Sequence, residues 1–234
     1  MSADPVWCLF RVKSSDMLNV KILFDKAVDE SQTVHKLDEF MQNKTRESND
    51  FQYIKDTFNR FIPGAFVNKQ QNPQAFDWDI LDEAYHLFFS KAFVEMFENL
   101  FITNPRVISE SMSEAQLDFI ITNRVGATEI LWGGLGWERA NRLPGYFGNM
   151  FLSPEDIATV LANIEKIFEE VDDTKFFERA QAIGARGNAN EDVAKNIKSL
   201  FLSALNRAFK KGDGFLALSY PHIGSMPFPE HGSA

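Results

Sequence analysis

The chain has 234 residues with 24 Lys+Arg against 33 Asp+Glu, so its formal net charge is −9, and 44% of its residues are hydrophobic. This balance excludes a wholly disordered chain, and the acidic charge disfavours non-specific binding to nucleic acid or to an anionic membrane. The single cysteine, Cys8, excludes an internal disulfide and an all-cysteine zinc site.

The N-terminus and the most apolar stretch predict neither a signal peptide nor a membrane span. Residues 1–5 are polar, unlike the basic and apolar start of a signal peptide. Residues 84–103 carry Lys91, Glu95 and Glu98, whereas a spanning helix needs about 20 nearly uncharged residues. With the lone cysteine, these features predict a soluble, cytoplasmic protein.

The first part of the chain predicts a strand followed by helices. Val6–Val12 is short and rich in β-branched and aromatic residues, which favours a strand. The next helix is predicted to bury an apolar stripe made of Leu18, Ile22, Leu23 and Val28. Apolar residues at helical spacing recur over residues 34–41 and 51–61, so two further helical segments are expected.

The middle of the chain predicts two helices and a loop. A helix that begins near Asp77 is apolar around much of its circumference up to Leu100, which is typical of a central helix. The capping box Ser111-x-x-Glu114 predicts a further helix over residues 115–121. Residues 132–148 are rich in glycine and aromatic side chains and are predicted to form a loop.

The last third predicts two long helices and a strand. Ser153 and Pro154 are a typical cap and first residue of a helix, and its acidic run over residues 165–173 is predicted to be a solvated face. A final helix starts at residues 190–192, with Leu200 among its predicted buried residues. Residues 215–220 are predicted to form a buried strand.

No repeat or linker divides the chain. We therefore predict one mainly helical α+β domain over residues 1–225, with a small sheet that includes an N-terminal and a C-terminal strand. Residues 226–234 contain Pro and Gly and are predicted to be a flexible tail.

The glycine-rich segment does not complete a phosphate-binding motif. Gly134-x-Gly136 is followed by Arg139 where a dinucleotide-binding loop needs its third glycine. The favoured interpretation is a structural loop packed over Trp132 and Trp137. The alternative is a ligand pocket with aromatic walls in which Arg139 or Arg142 binds an anionic group of the ligand. Its candidate residues are Trp132, Trp137, Tyr146, Arg139 and Arg142.

Other candidate residues are isolated. Glu83-x-x-His86 is half of a carboxylate di-metal site, but no second such pair occurs. His222 follows a predicted strand and is placed to act as a base or to bind a ligand. Cys8 lies in an apolar strand and is predicted to be an inert thiol. Because hydrolase motifs are also missing, no metal, cofactor or catalytic residue is assigned.

Three stretches resemble the YfbM-like family of small uncharacterised, mainly bacterial proteins. Residues 77–88 are similar to its Asp- and Trp-bearing helix with a central His, and residues 133–157 to its Gly-Gly loop and following helix start. Residues 201–219 are similar to its closing helix and strand. The resemblance implies an α+β fold and no particular activity. Residues 31–62 and the Pro-rich tail depart from it.

Two functions are therefore open. The favoured hypothesis is an acidic binding protein that recognises a partner protein or a small ligand near residues 132–147. The alternative is an enzyme of unknown reaction in which His86, Glu83, Asp82, Arg139 and His222 converge on one pocket.

Overall fold

Four antiparallel strands form the sheet in the computed structural model, which describes residues 5–30, 91–100, 117–122, 125–184 and 191–221. The strands are β1 (Val6–Val12), β2 (Leu117–Ile121), β3 (Met150–Leu152) and β4 (Gly214–Tyr220), and their order is β2-β1-β4-β3. The helices are α1 (Met17–Glu30), α2 (Lys91–Glu98), α3 (Ala127–Leu135), α4 (Trp137–Ala140), α5 (Pro154–Glu169), α6 (Asp173–Gly184) and α7 (Glu191–Lys211). The predicted α+β class is confirmed.

The first and last strands are the central pair of the sheet. β1 and β4 are antiparallel neighbours from Val6 opposite Tyr220 to Val12 opposite Gly214. Both strands are buried on both faces, which explains why each reads as a nearly continuous apolar run. The prediction that one sheet contains both strands is confirmed.

Helices cover both faces of this sheet. Trp7 and Leu9 of β1 belong to a core shared with α3, α5 and α7. Val6 and Cys8 point to the opposite face and join a second core shared with α1 and α2. Cys8 is fully buried, and this burial raises the pKa of its thiol well above the usual value, so the reactive thiolate is disfavoured.

The buried face of α1 differs from the predicted stripe. Val20, Phe24 and Ala27 are buried, whereas Leu18 and Ile22 are 69% and 56% exposed. The prediction is therefore wrong for Leu18 and Ile22, whereas Leu23 and Val28 are partly buried and pack against the second core. The side chain that fixes the orientation of α1 is the bulky Phe24, whose ring packs against aromatic rings of α2 and β3.

The helix predicted over residues 115–121 is wrong for residues 117–121, which form the strand β2. Leu117–Ile121 pairs with Val6–Phe10 of β1, and Ile120 is buried in the core. A local capping signal is thus overridden by hydrogen bonding to a strand more than 100 residues away in sequence.

The starts and inner faces of α5 and α7 follow the prediction closely. Ser153 accepts the Asp156 N–H, Asp156 accepts the Ser153 N–H, and Pro154 follows the cap. The inner face of α7 centres on Phe201, although Leu200 is 43% exposed and was wrongly placed inside. Consecutive residues of a helix point about 100° apart, and Leu200 lies at the edge of the face that Phe201 centres.

Several predictions fall outside the described residues. They concern the helices over residues 34–41 and 51–61, the start of the helix near Asp77 and the tail at 226–234. The described end of that third helix is α2, which buries Phe93 and Phe97 as predicted. Within the described ranges, no helix is both long enough and apolar enough to cross a membrane.

Tyr220, at the end of β4, gives a prediction about alkaline pH. Its hydroxyl donates to Oε1 of Glu98 at 3.1 Å, and its ring stacks on Phe97 at 4.5 Å. Burial first, then the hydrogen bond and the charge of Glu98, raise the pKa of Tyr220 from 10.0 to about 12. The folded protein therefore holds this proton more tightly than the unfolded chain does. The resulting stabilisation is present below pH 10 and is lost as the pH rises from 10 to 12.

An absorbance titration of tyrosinate checks this prediction. The chain has four tyrosines, and Tyr220→Phe is expected to remove the one that ionises near pH 12. If the same high-pH step persists in Tyr220→Phe, the assignment is wrong.

Candidate functional site

The first half of the segment predicted to be a loop is helical. Trp132 to Leu135 form the end of α3, and α4 follows directly at Trp137. The loop prediction is therefore wrong for this part of residues 132–148. Every residue of α3 is buried, so tertiary packing outweighs the low helix propensity of its glycines.

Gly134 shows why a glycine is needed in α3. A Cβ at this position would lie 2.5 Å from the ring of Phe176 in α6. The missing side chain thus lets α6 pack closely on α3. The glycine serves packing between helices rather than backbone flexibility or phosphate binding.

A tight turn completes the segment. The N–H and C=O groups of Tyr146 and Asn149 hydrogen-bond to each other, and Phe147 and Gly148 between them have φ of +48° and +92°. Positive φ at both central residues is typical of a type I′ turn. The indole N–H of Trp7 donates to the Gly148 carbonyl at 2.9 Å and fixes the turn to β1.

Buried polar groups around this turn bind one another. The Ser219 N–H donates to Oδ1 of Asn149 at 2.9 Å, and the Ser219 hydroxyl donates to Oγ1 of Thr128 at 3.3 Å. Oε2 of the buried Glu129 accepts the Gly126 N–H at 2.5 Å, at the start of α3. Such satisfied groups connect the elements of the core.

The predicted aromatic wall residues differ in their surroundings. Trp132 is only 4% exposed and stacks on Phe147 with ring centroids 4.5 Å apart. Tyr146 is half-buried, and its ring lies 6.4 Å from Phe24 and 6.1 Å from Phe93. Trp137 begins α4, but its side chain lies outside what the structure describes. Trp132 therefore lies inside one core cluster, whereas Tyr146 lies at the edge of both clusters.

Arg139 and Arg142 lie beside the same carboxylate. The guanidinium of Arg142 donates two hydrogen bonds to Glu170, Nη1 to Oε2 at 2.5 Å and Nη2 to Oε1 at 2.9 Å. Nε of Arg139 is 4.0 Å from Oε2. The Arg142 hydrogen bond, followed by the charges of Arg142, Arg139 and Lys166, lowers the pKa of Glu170 and outweighs its desolvation. The same hydrogen bond raises the pKa of Arg142.

The remaining candidate residues cannot be placed. His86, Glu83, Asp82 and His222 lie outside the described residues, so their convergence on one pocket stays a prediction. In the part of the chain that the structure does describe, no group of three His, Cys, Asp or Glu side chains could hold a metal ion.

The end of α5 carries three carboxylates that we name the acidic end of α5: Glu165, Glu169 and Glu170. Glu165 and Glu169 are exposed, lie one turn apart, and form no ion pair with any other described residue. Glu170 is the C-cap and is held by Arg142. The ion pair between Arg142 and Glu170 therefore connects residues 132–148 to the acidic end of α5.

Nearby acidic residues have structural roles instead. Oδ1 of Asp172 accepts the N–H groups of Thr174 and Lys175 at 3.0 and 3.2 Å, which caps α6. Asp173 pairs with Lys198 of α7 at 2.5 Å. The helix α6 was not anticipated from the sequence, although Asp172 before Thr174 and Lys175 is a usable cap signal.

Comparisons with known proteins give no family for this chain: no protein-family model, no curated protein and no solved structure matches it. The resemblance to the YfbM-like family stays a prediction.

Proposed function

We propose that the protein is a binding protein rather than an enzyme, and that it recognises a basic segment of a partner protein through the acidic end of α5. The observation that carries the proposal is the placement of Glu165 and Glu169. Both are exposed, both lie on one side of α5, and neither has a cation paired to it among the described residues.

This placement is unfavourable for the helix itself. Like charges at positions i and i+4 destabilise a helix by about 0.2–0.5 kcal/mol. Glu169 is also the last residue of α5, where the negative end of the helix dipole disfavours a carboxylate. Surface residues that break local rules without a compensating contact are candidates for a binding role.

The spacing of the carboxylates favours a protein segment over a single ion. Glu165 and Glu169 are separated by about 6 Å along the helix axis, and both face solvent. They therefore form an extended edge rather than a convergent set of ligands. Arginine and lysine side chains spaced along a peptide match such an edge, and the net charge of −9 would speed their approach.

Two other hypotheses, a small anionic ligand and an enzyme, have less support from the described residues. A small anion at Arg142 would have to displace Glu170, which already accepts both of its hydrogen bonds. The enzyme hypothesis depends on His86 and His222, outside the described residues. Among the described residues, neither hypothesis is supported by an observation comparable to the exposed Glu165 and Glu169, which support the binding-protein proposal.

The test is a pair of charge-neutral substitutions, Glu165→Gln with Glu169→Gln. The double variant is expected to bind a fluorescent hexa-arginine peptide about fivefold more weakly, because two exposed ion pairs are lost. Its free energy of unfolding in urea is expected to stay equal or rise by up to about 0.5 kcal/mol, because the repulsion in the helix is removed. Binding is measured by fluorescence anisotropy at about 0.15 M salt, where long-range attraction is screened.

A matched control removes two carboxylates from α1. Asp25→Asn with Glu30→Gln removes two negative charges, as the first double variant does, so the net charge changes from −9 to −7. In the wild type, Asp25 pairs with Lys21 and Glu30 pairs with Lys26. This control is expected to weaken peptide binding less than twofold, since screening leaves distant charges little effect. Equal losses in both double variants would mean that the peptide senses net charge alone, and the proposal would fail.

A further inference from the structure

We draw no further inference here: the strongest candidate, the apolar surface patch that Leu18 and Ile22 form one turn apart on the outer face of α1, is exposed to 69% and 56% at these two residues, and nothing in the described part of the chain shows what covers it.

Discussion

Gly148→Ala is expected to lower the free energy of unfolding by about 2–5 kcal/mol, as measured by urea denaturation. Gly148 has φ of +92°, which disfavours any residue with a Cβ. A Cβ there would lie 2.2 Å from Cγ2 of the buried Thr128. Backbone strain of about 1–2 kcal/mol therefore adds to overpacking of about 1–3 kcal/mol.

Two further variants separate these contributions. Gly212 also has a positive φ, +65°, but nothing lies within 4 Å of a Cβ built there. Gly212→Ala is thus expected to cost only about 1–2 kcal/mol. Adding Thr128→Ser to Gly148→Ala removes the closest atom and is expected to restore part of the stability. A Gly148→Ala protein as stable as Gly212→Ala would show that the turn is not packed on α3 as described.

Trp132→Ala is expected to destabilise the protein by about 3–5 kcal/mol, the range for truncating a buried aromatic side chain. Trp132 is 4% exposed and stacks on Phe147, so its removal leaves a cavity in the core. The measurement is again urea denaturation, with Trp132→Phe as a milder variant that keeps an aromatic ring against Phe147.

The matched control is Phe209→Ala on α7, where the side chain is 45% exposed. It is expected to cost about 1–2 kcal/mol, less than Trp132→Ala, because nearly half of the Phe209 side chain is already exposed in the folded protein. Near-neutral stability of Trp132→Ala would contradict the packed core and would reopen the interpretation of Trp132 as the wall of a ligand pocket.

The parts of the fold that could be predicted are those whose signals are local. Val6–Val12 and Gly214–Tyr220 read as strands because they are buried on both faces. The start of α5 reads as a helix because Ser153 and Pro154 satisfy its first N–H groups within the segment itself. Neither inference requires knowledge of a distant residue.

The parts that were missed depend on partners far away in sequence. β2 is a strand because β1 supplies its hydrogen bonds, against its own capping signal. The glycines of α3 are tolerated in a helix because α6 packs on Gly134 through Phe176. A window of sequence contains neither contact, so propensity alone assigns both segments wrongly.

The candidate site also has one feature that a local signal predicts and one that depends on residues distant in sequence. The solvated character of Glu165 and Glu169 follows from helical periodicity and is confirmed by their exposure. That Arg142 binds Glu170 could not be inferred, because the pair joins the turn after α4 to the end of α5. The sequence suggested the arginine as a ligand for an external anion, whereas an internal carboxylate accepts its hydrogen bonds.

The most direct test of the proposed function is an amide NMR titration of the whole protein with hexa-arginine peptide at about 0.15 M salt. We expect saturable shifts concentrated at Glu165 and Glu169, with smaller shifts at the adjoining Glu170. Shifts of equal size at the carboxylates of α1, without saturation, would contradict a defined binding surface at the acidic end of α5.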